Sequence, residues 1–126
     1  MTTRHSETIT DIVEASSYAG EVYRGPPSDD TADRAVFCWP DGDYSPPDGT
    51  FVGDEGDEYR TRYTVRIRAN DYQTAEADGN LLKGVLTDAD APGYLRIHLQ
   101  NGPFYIGEDE ADRPEFSGSV LLWLIE

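Results

Sequence analysis

The sharpest pattern in the chain lies between Glu58 and Ala69. There Tyr59, Thr61, Tyr63, Val65, Ile67 and Ala69 alternate with Arg60, Arg62, Thr64, Arg66 and Arg68. Period-two alternation marks a strand with one buried face, because successive Cβ atoms leave a strand on opposite sides. It predicts an apolar face and, opposite it, a strip of four arginines. Upstream, Ile9, Ile12, Val13 and Ser16 share one face at helical spacing, with Ser6 or Thr8 available as N-cap. That helix should stop before Gly20, and residues 1–6 carry no pattern and read as a frayed end. Glu21 to Arg24 reads as a short strand ended by Gly25-Pro26-Pro27, and Arg34 to Trp39 as a buried strand rich in aromatic and small apolar residues.

Between these strands and the arginine strand, residues 40–57 are Pro, Gly and Asp with isolated Tyr44, Phe51 and Val52. This predicts a long loop that docks those three apolar side chains on a neighbour. Past the arginine strand, Asn70-Asp71 should cap a helix running to about Leu86, with Tyr72, Ala75, Leu82, Val85 and Leu86 toward the core and Gly79 weakening its middle. Asp88 to Gly93 reads as a loop. Tyr94 to Leu99 reads as a strand with Tyr94, Arg96 and His98 on one face and Leu95, Ile97 and Leu99 on the other. A turn at Asn101-Gly102-Pro103, a short strand Phe104 to Ile106, a charged loop from Gly107 to Pro114 and a last strand from Glu115 to Ile125 complete the chain. The order of elements, with three closing strands joined by short turns, predicts one α+β domain spanning 1–126: a mainly antiparallel β-sheet with two α-helices packed on one face.

Charge changes the picture more than length does. The chain has 126 residues and a net charge of −15, from 25 acids and 10 bases; 15 of the acids are Asp, and Lys83 is the single lysine beside nine arginines. Sequence-specific nucleic-acid binding and adhesion to anionic membranes both need a positive face, and the balance argues against them. No apolar run approaches the ~20 residues of a bilayer span. Acid-rich, lysine-poor surfaces suit a salt-loaded cytoplasm, where hydrated carboxylates stay soluble and salt screens their repulsion. A halophilic host is the reading preferred here. The rival is an acidic DNA-mimic inhibitor of host defence, which would string carboxylates along one regular face; here they concentrate in loops.

Chemistry is sparse. One cysteine excludes an internal disulfide and a Cys-based zinc site, and Cys38 reads as a small buried hydrophobe. His5 lies in the frayed end and His98 on a strand face, and neither belongs to a metalloprotease motif. The segment from Asp41 to Val52 tempts a calcium reading but carries Pro46 and Val52 where an EF-hand loop needs Gly and Glu. No catalytic residue, metal or cofactor is expected. The arginine strip is different. Four guanidinium groups on one strand face repel unless carboxylates neutralise them, whether from the same subunit on a solvated face or from a neighbour at a subunit boundary or lumen.

Three stretches resemble the tail-terminator, or tail-completion, proteins of long-tailed, siphovirus-like viruses, also called minor capsid or neck proteins. They are Arg-Tyr-Thr-Val-Arg-Ile-Arg-Ala-Asn-Asp-Tyr-Gln-Thr-Ala (62–75), Tyr-Leu-Arg-Ile-His-Leu-Gln-Asn-Gly-Pro (94–103) and Tyr-Ile-Gly-Glu-Asp-Glu-Ala-Asp-Arg-Pro-Glu-Phe (105–116). The last is similar to that family's Gly-x-Asp-Glu-x-x-Arg-x-x-Phe spacing before a final apolar strand. Pro114 departs from the small or polar residue usual after the arginine, which bears on the turn at Arg113. The resemblance implies a homo-oligomeric ring, usually a hexamer, at the head–tail junction of the virion, assembled in the host cytoplasm. It implies contacts with the major tail tube protein and a neck or head-closure protein, passage of the genome through the ring, and no catalysis. Gly107, Asp109, Glu110 and Arg113 match the pattern and are implied to form a turn at an interface, with Arg60, Arg62, Arg66 and Arg68 as candidates for the boundary or lumen. A head-closure ring is the alternative within the same class.

If the charge balance reflects salt adaptation, self-repulsion should loosen the fold where the Debye length is ~30 Å (0.01 M salt) and relent where it is ~3 Å (1 M). Thermal melts across that range should show a midpoint that rises with salt. A flat midpoint would remove the halophile reading.

Overall fold

The computed structural model describes residues 5–28, 31–40, 58–89, 91 and 94–125. Two helices, α1 (His5–Glu14) and α2 (Tyr72–Leu86), accompany six strands: β1 (Glu21–Arg24), β2 (Ala35–Pro40), β3 (Glu58–Arg68), β4 (Thr87–Ala89), β5 (Tyr94–Glu108) and β6 (Pro114–Ile125). The strands form one sheet in the order β1-β2-β3-β6-β5-β4. Every neighbouring pair is antiparallel except β1 with β2, which is parallel. This is an α+β fold. The docking segment expected around Tyr44, Phe51 and Val52 lies outside the described residues.

Both helices pack on one face of the sheet. Ile9 and Val13 from α1 and Ala75, Leu82 and Leu86 from α2 are buried against Val36, Cys38, Val65, Ile67, Ile97, Phe116, Val120 and Leu122. Alternation in β3 supplies the reason. Tyr63, Val65 and Ile67 are buried toward the helices, and the arginines leave the other side. Each fully buried aliphatic side chain contributes roughly 1.5–3 kcal/mol. Asp71 caps α2 through its side chain, which accepts from the Thr74 amide at 2.8 Å. Within α2, Asp78 is buried and is held by a bidentate pair with Arg34, at 2.9 and 2.8 Å, which ties the helix to the start of β2.

Several expectations need correction. The first helix begins at His5, inside the stretch expected to fray. Tyr72 does not face the core; it is 44% exposed. The edge strand β4, Thr87–Ala89, takes the first two residues of the loop expected from Asp88 to Gly93. The turn expected at 101–103, and the separate strand after it, are one continuous β5 of 15 residues. The cause is a set of four register shifts between β5 and β6, at Tyr94/Arg96, Leu99/Asn101, Asn101/Phe104 and Tyr105/Gly107. Each adds a residue on the β5 side, as β-bulges do. The first shift turns Tyr94 away from the Arg96 face, so that it packs against the core and its hydroxyl reaches Thr8 Oγ1 at 3.3 Å. The strands approach closely at the second and third shifts. A Cβ on Gly118 would lie 2.7 Å from the Asn101 carbonyl oxygen, and one on Gly102, at φ +86°, 2.7 Å from that of Ser117.

Candidate functional site

The arginines of β3 stand on the sheet face that carries no helix, and the register sets their neighbours. Arg62 pairs with Leu121, Arg66 lies between Phe37 and Ser117, and Arg68 lies between Ala35 and Glu115. Arg60 is opposite Trp123 in the ladder, and its side chain lies outside the described residues. Aromatic rings from the flanking strands carry the guanidinium groups. Arg66 sits over Trp39 with 5.4 Å to the ring centroid, Arg68 over Phe37 at 4.9 Å, and Arg96 over Trp123 at 5.1 Å. Of the four arginines expected on this face, Arg62, Arg66 and Arg68 are described there, and Arg66 and Arg68 lie over rings.

Its members differ in kind. Arg62 and Arg66 are half-buried, and Arg66 lies 3.5 Å from a Glu115 carboxylate oxygen. Arg68 is 1% exposed and cannot serve as an outward contact. Its guanidinium is enclosed by the connection between β1 and β2: it donates to Thr31 Oγ1 at 2.8 Å, to the Ala32 carbonyl, and at longer range to the Asp33, Thr31 and Ser28 carbonyls. The expectation that Arg68 belongs to a surface strip is corrected on this point. A period-two pattern assigns a side chain to a face, but what covers that face is decided by a connection elsewhere in the chain.

The turn after β5 completes the cluster. Asp109 Oδ1 accepts from the Ala111 and Arg113 amides at 2.9 Å each, and Oδ2 accepts from Arg113 Nε at 2.9 Å. The same Oδ2 lies 3.7 Å from Arg68 Nη1, and Arg113 Nη1 reaches Asp33 at 2.9 Å. Gly107 at φ +113° and Asp112 at φ +62° supply the left-handed backbone that the turn needs. Asp109 and Arg113 thus form the turn expected of them, and Gly107 shapes its entry. Glu110 is exposed. Pro114 opens β6, and its carbonyl still accepts from the Ala69 amide at 3.3 Å, so the departure at this position leaves the sheet intact. Asp33, Arg113, Asp109 and Arg68 therefore form a chain of alternating charges, and the Arg66–Glu115 pair lies beside it, with Glu115 opposite Arg68 in the ladder. Only the arginine strip and the Asp109–Arg113 pair were visible beforehand. Nothing in the spacing links Asp33 to Arg113, 80 positions apart.

The electrostatics of the cluster follow from burial and pairing. Burial alone would push the Asp109 carboxyl up, but the Arg113 and Ala111 amides and the Arg113 guanidinium outweigh it and hold the group below the usual carboxylate range. Burial raises the Glu115 carboxyl despite the opposing pull of Arg66. Arg68 is lowered by burial and by the neighbouring Arg113. A cleft of about 340 Å³ opens beside these groups, lined by Pro27, Ser28, Arg68, Asp109, Glu110 and Glu115. Elsewhere, burial pushes the Cys38 thiol up to about 12, which keeps it protonated at neutral pH. Among the described residues no group of three or more His, Cys, Asp or Glu side chains is placed to hold a metal ion.

No family model matches the chain, and no curated protein matches it in sequence. Its fold is similar to that of a chain in the solved virion of a native gene transfer agent particle, with a TM-score of 0.57 and 14% identity, covering 94% of this chain and 84% of that one. At that identity, what the two chains share is the fold.

Arg68→Met should cost about 3 kcal/mol, because the carbonyls around it lose their donor and Asp109 loses a cation. Arg62→Ser, at a half-buried position outside the Arg68 cage, should cost about 1 kcal/mol, less than Arg68→Met. Denaturant melts would distinguish the two. The pH dependence has two signs. Asp109 stabilises the fold above its ordinary value of 3.8 and loses that contribution as pH falls through its lower folded value. Glu115, whose value is raised, stabilises most below its ordinary 4.5 and loses that contribution as pH rises through its higher folded value. Asp109→Asn should therefore flatten the loss of stability below pH 3.8, and an unchanged acid limb would argue against Asp109 as the hub.

Proposed function

We propose that the chain is a structural virion protein: a tail terminator that forms a ring, usually of six copies, capping the tail tube and joining it to the neck. The observation that carries the virion role is the likeness of fold, over 94% of the chain, to a chain of the gene transfer agent virion. The narrower role is favoured by the Gly107-x-Asp109-Glu110-x-x-Arg113-x-x-Phe116 spacing and by its physical content. Asp109 and Arg113 lock a turn and pin it to the β1–β2 connection, giving a rigid corner at the end of the sheet. The helix-free face, with Arg62 and Arg66 on its surface, is the side offered to a neighbour or to the lumen. In this reading the protein binds a second copy of itself, the tail tube and a neck protein, uses no cofactor and catalyses no reaction.

Particles assembled without the protein should carry tails of uncontrolled length, or tails detached from heads. Antibody labelling of intact particles should mark one site, the head–tail junction. Label at the junction with tails of normal length in its absence would favour a head-closure ring. Label over the capsid surface would overturn both readings.

A further inference from the structure

The register lays out the helix-free face in rows. One row runs Tyr23, Phe37, Arg66, Ser117, Phe104 across five strands, and the next runs Trp39, Thr64, Ser119, Asn101 across four. Small side chains meet in the middle, where Thr64, Ser117 and Ser119 are half-buried. Arg66, over the Trp39 ring, bounds them on the β2 side, and Phe104 with Asn101 bounds them on the β5 side. The result is a trough along β6, two strand spacings or roughly 9.6 Å wide. Phe104 on its wall is 62% exposed, more than any other large apolar side chain among the described residues. Trp and Arg beside an exposed Phe is the composition of interface centres. Arg66 also has capacity to spare. Glu115 stands 3.5 Å away, too far for a strong hydrogen bond, and the Arg66 Nε has no hydrogen-bond partner.

Such a trough suits a narrow, acidic element. An α-helix, ~10 Å across with its side chains, matches the width. A nucleic acid is disfavoured, because a chain of net charge −15 repels phosphate. Helix α1 of this same chain has the required chemistry. Its Ile9 and Val13 are buried toward the sheet, while Glu7, Asp11 and Glu14 recur at i, i+4 and i+7 along its outer side. Glu7 is engaged by Arg24 at 2.9 Å. Asp11 and Glu14 are exposed and have no ion pair among the described residues. Beside them a cleft of about 350 Å³ opens between α1 and β1, lined by Thr10, Asp11, Glu14, Val22, Tyr23 and Arg24. It is large enough to take a phenyl ring.

We propose that the outer side of α1 from one copy lies in the Ser117–Ser119 trough of the next, with Asp11 and Glu14 facing Arg66 and with Phe104 entering the α1–β1 cleft. This inference rests on the ring reading above and specifies its contact. The two surfaces lie on opposite sides of the sheet, so the contact is heterologous and repeats from copy to copy until the ring closes. With α1 only 10 residues long, about 15 Å, one contact is smaller than the ~800 Å² per partner of a standard interface. A closed ring holds every copy through two such contacts, so rings rather than dimers are the expected assembly.

The test is cross-linking of purified full-length protein at the lowest salt in which circular dichroism shows the wild type folded. Phe104→Cys and Glu14→Cys each replace an exposed side chain, and the native Cys38 is buried. Under mild oxidation an equal mixture of the two variants should give a disulfide-linked pair containing one of each, read by mass. Neither variant alone should give a linked pair, and the double variant should give a ladder ending at the copy number of the ring. Asp11→Arg/Glu14→Arg should raise the concentration needed for assembly about tenfold, read by light scattering after size exclusion, with a melting midpoint close to wild type. If wild type forms the ring but the mixture gives no linked pair, the ring reading stands and this contact is wrong. A linked pair from either variant alone means a symmetric contact and overturns the proposal. So does binding of duplex DNA by wild type that Phe104→Ser abolishes, since the trough then faces the genome. If wild type stays monomeric to millimolar concentration, the ring reading and the contact fall together.

Discussion

The fold depends on a guanidinium group buried where the chain must double back. β1 and β2 run parallel, so the residues between them have to return along the sheet before β2 can start. Of this connection's described residues, 25–28 and 31–34, none is helical, and Ser28, Thr31, Ala32 and Asp33 present carbonyls to the helix-free face that need donors. Arg68 supplies them, with its five N–H groups in a fixed fork and the Phe37 ring beneath. A lysine could not satisfy the same spread of acceptors. Asp109 and Arg113, from the β5–β6 turn, join the same site through the Asp109–Arg68 contact and the Arg113–Asp33 pair. Four parts of the chain are fixed at one point: the β1–β2 connection, the end of β3, the β5–β6 turn and the start of β6.

That arrangement separates the two faces of the sheet by the physics that holds them. Aliphatic burial under α1 and α2 governs one face, which is insensitive to salt at first order. Rings and paired charges govern the other, where Arg66, Arg68 and Arg96 lie over Trp39, Phe37 and Trp123. Cations stacked on rings keep much of their attraction when water is partly excluded. In a chain so acidic, placing most of the described arginines over rings or against carboxylates leaves little cationic surface to spare.

The sequence made the fold class legible because β3 alternates cleanly and α2 has both a capping Asp71 and a periodic apolar face. Ala75, Leu82 and Leu86 are buried as that pattern requires. It concealed what depends on partners distant in the chain. Tyr72 looks like a core residue from its spacing, yet at the first turn of α2 it overhangs the edge of the sheet and rests on Tyr105 and Phe116. Arg68 is indistinguishable from Arg62 and Arg66 by period, because alternation reports a face and not its cover. The bulges of β5 leave only weak traces, a Gly-Pro step and a break in alternation, which read more simply as a turn.

Those bulges have a consequence for shape. From Tyr94 to Glu108, β5 spends 15 residues, while β6 covers the matching span from Leu124 back to Pro114 in 11 (124 − 114 + 1). Two ribbons of unequal length fastened along their whole run cannot both stay straight. The longer must take the outside of a bend, as the outer lane of a curved track does, so a surplus of four residues gives this margin of the sheet a built-in arc.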